Sequence, residues 1–243
     1  SNGRYSVTLR PNGAGTSRWG RIGICRGRDD ALRDAYGSFF YLRRLGETVL
    51  ASITHHPARD TTATYKCVYH ADRVCFEAAW PDVEAHMTVW VSPEDDVEFR
   101  RIELRNLSDQ IIDLELISAF EVTLADAMAD EAHPAFSNLF ISSEWQDEHE
   151  ALIFERTPRL SNEQRLCAAH FLTESDSNVV RIRAQTDRQK WLGRNHQADQ
   201  PVAQLDELRT STRGQATEAN TLLGTGLDPM CALAVQVRIA PNA

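Results

Sequence analysis

Positive charge is scarce in this chain. Lys and Arg number 26 against 35 Asp and Glu, a net charge of −9. A general nucleic-acid binder needs a basic face, so the composition argues against that class of partner. No apolar run approaches the ~20 residues that cross a bilayer as a helix. The mean hydropathy of −0.41 is what a soluble domain would have. The chain does not open with a basic stretch and an apolar segment, so no signal peptide is visible. The cysteines, Cys25, Cys67, Cys75, Cys167 and Cys231, are odd in number and scattered, and no CxxC occurs. Neither a zinc site nor a disulfide framework is suggested; buried free thiols in a reducing setting are expected. GxSxG, P-loop, HExxH and kinase motifs are missing. Carboxylates are plentiful, but no pair can be assigned as a glycosidase dyad from spacing alone. No metal and no cofactor are expected.

What is there is alternation, clearest from Val83 to Val122. Val83, Ala85, Met87, Val89 and Val91 face one way and Glu84, His86, Thr88 and Trp90 the other, the period of a half-buried strand. Ser92 to Asp96 reads as a turn. The next run, Val97 to Arg105, changes phase between Phe99 and Ile102, which predicts a β-bulge. After a turn at Asn106–Gln110, Ile112, Leu114, Leu116, Phe120 and Val122 alternate with Asp113, Glu115 and Glu121. Three such strands predict a meander whose apolar face the remaining chain must cover.

Further strands are expected at Tyr5–Leu9, Phe39–Leu42, Val49–Ile53, Tyr65–Tyr69, Val74–Trp80, Leu139–Ser143, Ala151–Glu155, Cys167–Leu172, Val179–Ile182 and Ala232–Ile239. Helix is expected in only two or three short pieces. One is a turn before His133-Pro134. One lies at 187–193, capped by Thr186 or Asp187 and stopped by Gly193. One lies at Pro201–Leu208, where Val202, Leu205 and Leu208 are spaced by three. Residues 209–220 read as a polar loop. About fifteen strands with so little helix mean an all-β fold of two large stacked sheets.

Chemistry-bearing residues cluster in three places. Pro11 to Arg21 is expected to be a loop holding three glycines, Arg18, Arg21 and Trp19. It supports two readings: a polyol cradle, or a Trp19 plug with arginines paired to carboxylates. Asp126, Asp130, Glu131 and His133 form the densest polar group, open to a cation site, an acid/base pair or a solvated loop. His55-His56, as neighbours on a strand, would point to opposite faces and not share a metal.

Six stretches together resemble a known family: SNGRYSV at 1–7, GAGTSRWG at 13–20, VSPEDDVEFRR at 91–101, AHPAFSNLF at 132–140, TDR at 186–188 with LGR at 192–194, and LDP at 227–229. They are similar, in order along nearly the whole chain, to a sandwich domain of the cyclic β-1,2-glucan synthases, in the glycosyltransferase family 36 or glycoside hydrolase family 94 group. The family's loop reads GYSRWxD followed by TRWRED. Here Thr16, Arg21 and Gly27 depart from it, while Arg18, Trp19, Arg26, Arg28 and Asp30 keep it.

The resemblance implies a galactose-mutarotase-like β-supersandwich, with residues 1–243 a single domain excised from a larger multidomain protein. It also implies a non-catalytic carbohydrate-binding or scaffold role in a parent that transfers glucose and controls chain length by phosphorolysis. The carbohydrate-binding candidates are Arg18, Trp19, Arg21, Arg26, His133 and Trp191. The implied partners are a β-glucan and other domains of the same polypeptide, with a homodimer as a further option. The parent is expected in a bacterial inner membrane, with this domain on the cytoplasmic side. Two alternatives stay open: a mutarotase-like epimerase using His133 or His170 with a carboxylate, and a pure interaction domain.

Overall fold

The computed structural model describes residues 1–28, 30, 32–48, 50–161, 163–173, 179–210 and 221–243, the last two before 211 by backbone only. The first strands are β1 (Tyr5–Leu9), β2 (Gly15–Trp19), β3 (Ile22–Cys25), β4 (Phe39–Arg44) and β5 (Ala51–Ser52). Then come β6 (Thr64–Tyr69), β7 (Val74–Ala79), β8 (Val83–Val91), β9 (Glu98–Asn106) and the long β10 (Ile112–Asp126). Helices α1 (Ala127–Ala132) and α2 (Pro134–Asn138) lead into β11 (Ile141–Gln146), β12 (Ala151–Arg156), β13 (Leu166–Phe171) and β14 (Val179–Asp187). Helix α3 (Arg188–Leu192) precedes β15 (Asp206–Thr210), β16 (Thr221–Leu223) and β17 (Pro229–Ile239).

A nine-stranded sheet runs β1-β2-β3-β10-β17-β14-β15, with β4 on β10 and β5 on β4. Two four-stranded sheets, β6-β7-β8-β9 and β13-β12-β11-β16, accompany it. All pairings among them are antiparallel. Strand parity divides the core. Val122 and Leu124 of β10, with Cys231, Leu233 and Val235 of β17, pack with Trp145, Leu152 and Phe154 of the β11 sheet. Phe40 and Leu42 of β4 pack with Phe76, Met87 and Val89 of the β6 sheet. The alternate residues Ile117, Ala119, Ala232 and Ala234 turn the other way, onto Trp191, Leu192 and Ala203. Both small sheets therefore cover one face of the large sheet, and α3 with its following segment covers part of the other. The expected all-β supersandwich with short helices is the architecture observed.

Several local expectations change. The three-strand meander is not formed by β8, β9 and β10. The β9 strand ends its own sheet, and β10 lies at the centre of the large one. Asn106, fully buried at the corner, donates to the carbonyls of Gln110 at 2.7 Å and Ala240 at 2.9 Å and ties the crossover to the chain terminus.

The predicted bulge in β9 is absent. Its register against β8 runs unbroken from Val83↔Asn106 to Val91↔Glu98. The phase change has another cause. Glu98 and Arg100 point inward as an ion pair 2.5 Å apart, and Glu98 also takes a hydrogen bond from Ser17 at 2.5 Å. Phe99 turns outward and stacks on its cross-strand partner Trp90 at 5.0 Å. A charged pair on the inner face thus imitates a slip.

Residues 15–25, expected to be mostly loop, form the β2–β3 hairpin. Pro201–Leu208 is not helical. Val202 and Ala203 donate backbone hydrogen bonds to the carbonyls of Leu192 and Trp191, and β15 begins at Asp206. The strand expected at Val49–Ile53 shortens to Ala51–Ser52, and Val49 lies outside the described residues. So does most of the polar loop expected at 209–220. The α3 cap is as expected: Asp187 accepts the amide of Gln189, and Gly193 sits at φ +83°. The cysteines are free, but not uniformly buried. Cys25, Cys75 and Cys231 are buried, Cys67 half-buried and Cys167 exposed.

Candidate functional site

The β2–β3 hairpin carries four of the six sequence candidates or leads directly into them. Alternation on β2 puts Ser17 inside and Arg18 outside. Trp19, half-buried at the strand end, donates its indole N–H to Asp96 Oδ2 at 2.8 Å. Arg4 pairs with the same Asp96 at 3.2 Å. The tight turn at Gly20, with φ +55°, then exposes Arg21. Arg21 reaches Asp126 Oδ2 at 2.7 Å. Asp126 also caps α1 by accepting the Met128 amide at 2.9 Å. That hydrogen bond and the Arg21 charge hold its carboxyl below the usual range.

Arg26 follows β3 and is buried. Its guanidinium donates to both oxygens of Asp130 at 3.1 and 3.0 Å, to Glu121 at 2.6 Å and to Asn138 at 3.1 Å. Burial alone would lower its pKa, but Asp130 and Glu121 hold it above the ordinary value. Glu121 also takes a hydrogen bond from Arg188 of α3 at 2.5 Å, and Asn138 donates to Asp228 at 2.7 Å. A continuous polar network thus ties β3, β10, α1, α2, α3 and the turn before β17. Such pairing fixes geometry and uses four of the five Arg26 N–H donors inside the protein.

The remaining two candidates are placed apart. His133 sits exposed at the junction of α1 and α2, its backbone used by both helices. Trp191 is 0% exposed, its ring edge against Tyr41 at 5.7 Å. The Tyr41 hydroxyl above it is bonded to the Ala198 carbonyl at 2.9 Å. No face of Trp191 is open to a sugar, which corrects the sequence expectation: the α3 turn aims it into the core.

The acidic group at 126–133 also separates. Asp126 and Asp130 serve different arginines, while Glu131 and His133 face solvent. Among the described residues no group of three His, Cys, Asp or Glu is placed to hold a metal. His55 and His56 lie in a bend, not a strand, and their rings stack at 6.0 Å.

The family model for the glycosyl hydrolase 94 supersandwich domain matches residues 1–243. The chain belongs to that family. Beyond this supersandwich match, the chain is 29% identical over 243 residues to the cyclic beta-(1,2)-glucan synthase NdvB of Rhizobium meliloti strain 1021. That alignment covers 98% of this chain and 8% of the relative's length. No described helix is long and apolar enough to cross a membrane.

In this supersandwich, sequence reasoning passed over His55 and Tyr65, which border one cleft. The only signal was the pair of histidines before a proline, and that pair was weighed solely as metal ligands. Nothing in the spacing of residues 55 and 65 announces that a bend and a strand meet there.

Proposed function

We propose that this supersandwich is a non-catalytic carbohydrate-binding and scaffold domain of a cyclic β-1,2-glucan synthase, one domain of a longer polypeptide. The observation that carries the reading is the family match over residues 1–243, with the aligned glucan synthase as relative. The geometry supports a non-catalytic role, because the strongest charged candidates are occupied by one another. Arg26, Glu121, Asp130 and Arg188 form a closed network. Arg18 and Arg21 flank the half-buried Trp19 on an exposed hairpin, and this is the proposed saccharide contact of that region. The parent is proposed to lie in a bacterial inner membrane with this domain on the cytoplasmic side, where free thiols persist.

Of the two histidines the epimerase alternative would use, His170 is engaged inside the fold and His133 stands at the α1–α2 junction. His170 Nε2 is 2.6 Å from Ser118 Oγ, and burial pushes its imidazole down to about 4. Titration calorimetry of the domain with linear and cyclic β-1,2-glucan tests the reading. Saturable heat is expected. Its absence with both glucans would leave only the scaffold role.

A further inference from the structure

The large-sheet face on which Tyr41, Ile117 and Ala234 pack with Trp191 continues beyond that apolar cluster. Two residues further along each strand, on the same face, stand Arg43, Glu115 and Gln236. The registers set them side by side. Glu115 of β10 pairs with Arg43 of β4 on one flank and with Gln236 of β17 on the other, and Gln236 pairs with Arg181 of β14. Arg183 is level with Ala234, whose small side chain lets it cross β17 to Glu115.

Glu115 is 1% exposed, yet it answers two charges. Arg43 Nε donates to its Oε2 at 2.6 Å, and Arg183 Nε donates to its Oε1 at 2.9 Å. Nη2 of each arginine approaches the same oxygen as its Nε. The Nη1 groups of both have no hydrogen-bond partner among the described residues. The neighbouring pairs, Arg238 with Asp113 at 2.7 Å and Arg181 with Glu207 at 3.7 Å, are balanced one to one. The centre of the row therefore holds two positive charges and one negative. Gln236 adds an independent observation. It is 6% exposed, and its amide makes no hydrogen bond to any described residue. Side-chain amides this buried are ordinarily paired.

We infer that this row binds the oxyanion of a small ligand, a phosphate or a carboxylate. A guanidinium has five N–H donors, more than a shared carboxylate can take, so each arginine keeps donors for a further acceptor. Two arginines on one carboxylate leave a surplus positive charge shielded from water, and an anion from outside neutralises it. Guanidinium hydrogen bonds to phosphate or carboxylate are of the strong, charge-assisted kind. The Gln236 amide supplies a neutral donor beside them. The arginine side chains are only 15% and 21% exposed, so a small group reaches their donors and a broad surface does not. None of the six sequence candidates belongs to the row. The inference goes beyond the carbohydrate reading and stands apart from it.

The test is calorimetric titration of the protein with sodium phosphate and, separately, sodium acetate, at constant ionic strength. Wild type is compared with Gln236→Met and Arg183→Lys. The first removes the unpaired amide and keeps the volume; the second keeps the charge that faces Glu115 and removes Nη1. Both are expected to fold, which circular dichroism and a thermal melt check. Saturable binding of one anion per chain by wild type is expected, weakened about ten-fold in each variant, the size of one lost charge-assisted hydrogen bond. Phosphate bound more tightly than acetate assigns the row to a phosphate group, and the reverse to a carboxylate; either order, with the same loss in the variants, upholds it. Equal binding by wild type and both variants places the anion elsewhere and overturns the row. No saturable heat with either anion overturns it as well. No glucan enters the test, so its failure leaves the carbohydrate reading standing.

Discussion

Ser118 Oγ lies 2.6 Å from Nε2 of His170, joining the central strand β10 to β13 of the neighbouring small sheet. The imidazole also meets Phe120 edge-on at 5.4 Å. Burial lowers its pKa to about 4, which Arg100 reinforces and Glu98 opposes. In the unfolded chain a histidine titrates near about 6.5. Above that value both states are neutral, and the contribution to stability is fully present. As pH falls from the unfolded value toward about 4, the unfolded state takes up its proton first and stability is lost. With the solvent-facing part of the residue allowed for, the loss is ~2 kcal/mol. Urea midpoints for wild type and His170→Gln at about pH 7.5 and about pH 5 measure it. Carboxylates titrate in both proteins, so the difference isolates the histidine. Parallel pH profiles would show that His170 is not the linked group.

Arg26 is the hub of the β3–β10–α1 corner. Arg26→Met removes the partner of buried Asp130, and an uncompensated buried charge costs about 3–5 kcal/mol. Adding Asp130→Asn to that variant is expected to restore a substantial part of the loss. A double-mutant cycle by urea denaturation reads the coupling directly. Additive effects would mean the two side chains do not interact in solution.

Trp191→Ala empties a fully buried site against Tyr41 and its neighbours on the large sheet. The expected destabilisation is about 3–5 kcal/mol, as for other large aromatic truncations in cores. Trp19→Ala, half-buried and at a strand end, is expected to cost only ~1–2 kcal/mol for its hydrogen bond to Asp96 and partial burial. Thermal melts of the two variants side by side check the contrast. Equal losses would contradict the difference in burial.

Gly15 is required by closeness, not by φ. A Cβ there would lie 2.0 Å from the Thr8 carbonyl oxygen across the β1–β2 ladder. Gly15→Ala therefore forces the backbone apart and is expected to cost upward of ~2 kcal/mol. Gly46→Ala is the comparison. It sits at φ +92° with nothing within 4 Å, so its cost is strain alone, ~1 kcal/mol. A Gly15→Ala melt indistinguishable from wild type would show that the two strands are not packed this tightly.

The sequence by itself determined the class of fold and most of its strands. Side chains on β8 and β10 alternate because a pleated strand sends them to opposite faces, and a buried face must be apolar. The Asp187 cap and Gly193 stop were legible because α3 begins and ends on local chemistry. Tertiary structure decided everything that depends on which strand meets which. Glu98 faces inward because Ser17 and Arg100 are there to bond it, so a polar residue took an interior position that periodicity reserved for an apolar one. Val202 and Leu205 have helical spacing, yet the α3 carbonyls capture that segment in extended form. Trp191 and Trp19 look alike as candidates, and only packing separates a core residue from a hairpin one. Glu115 and Gln236, far apart in the chain, stand side by side through one strand register, a relation that no local pattern encodes.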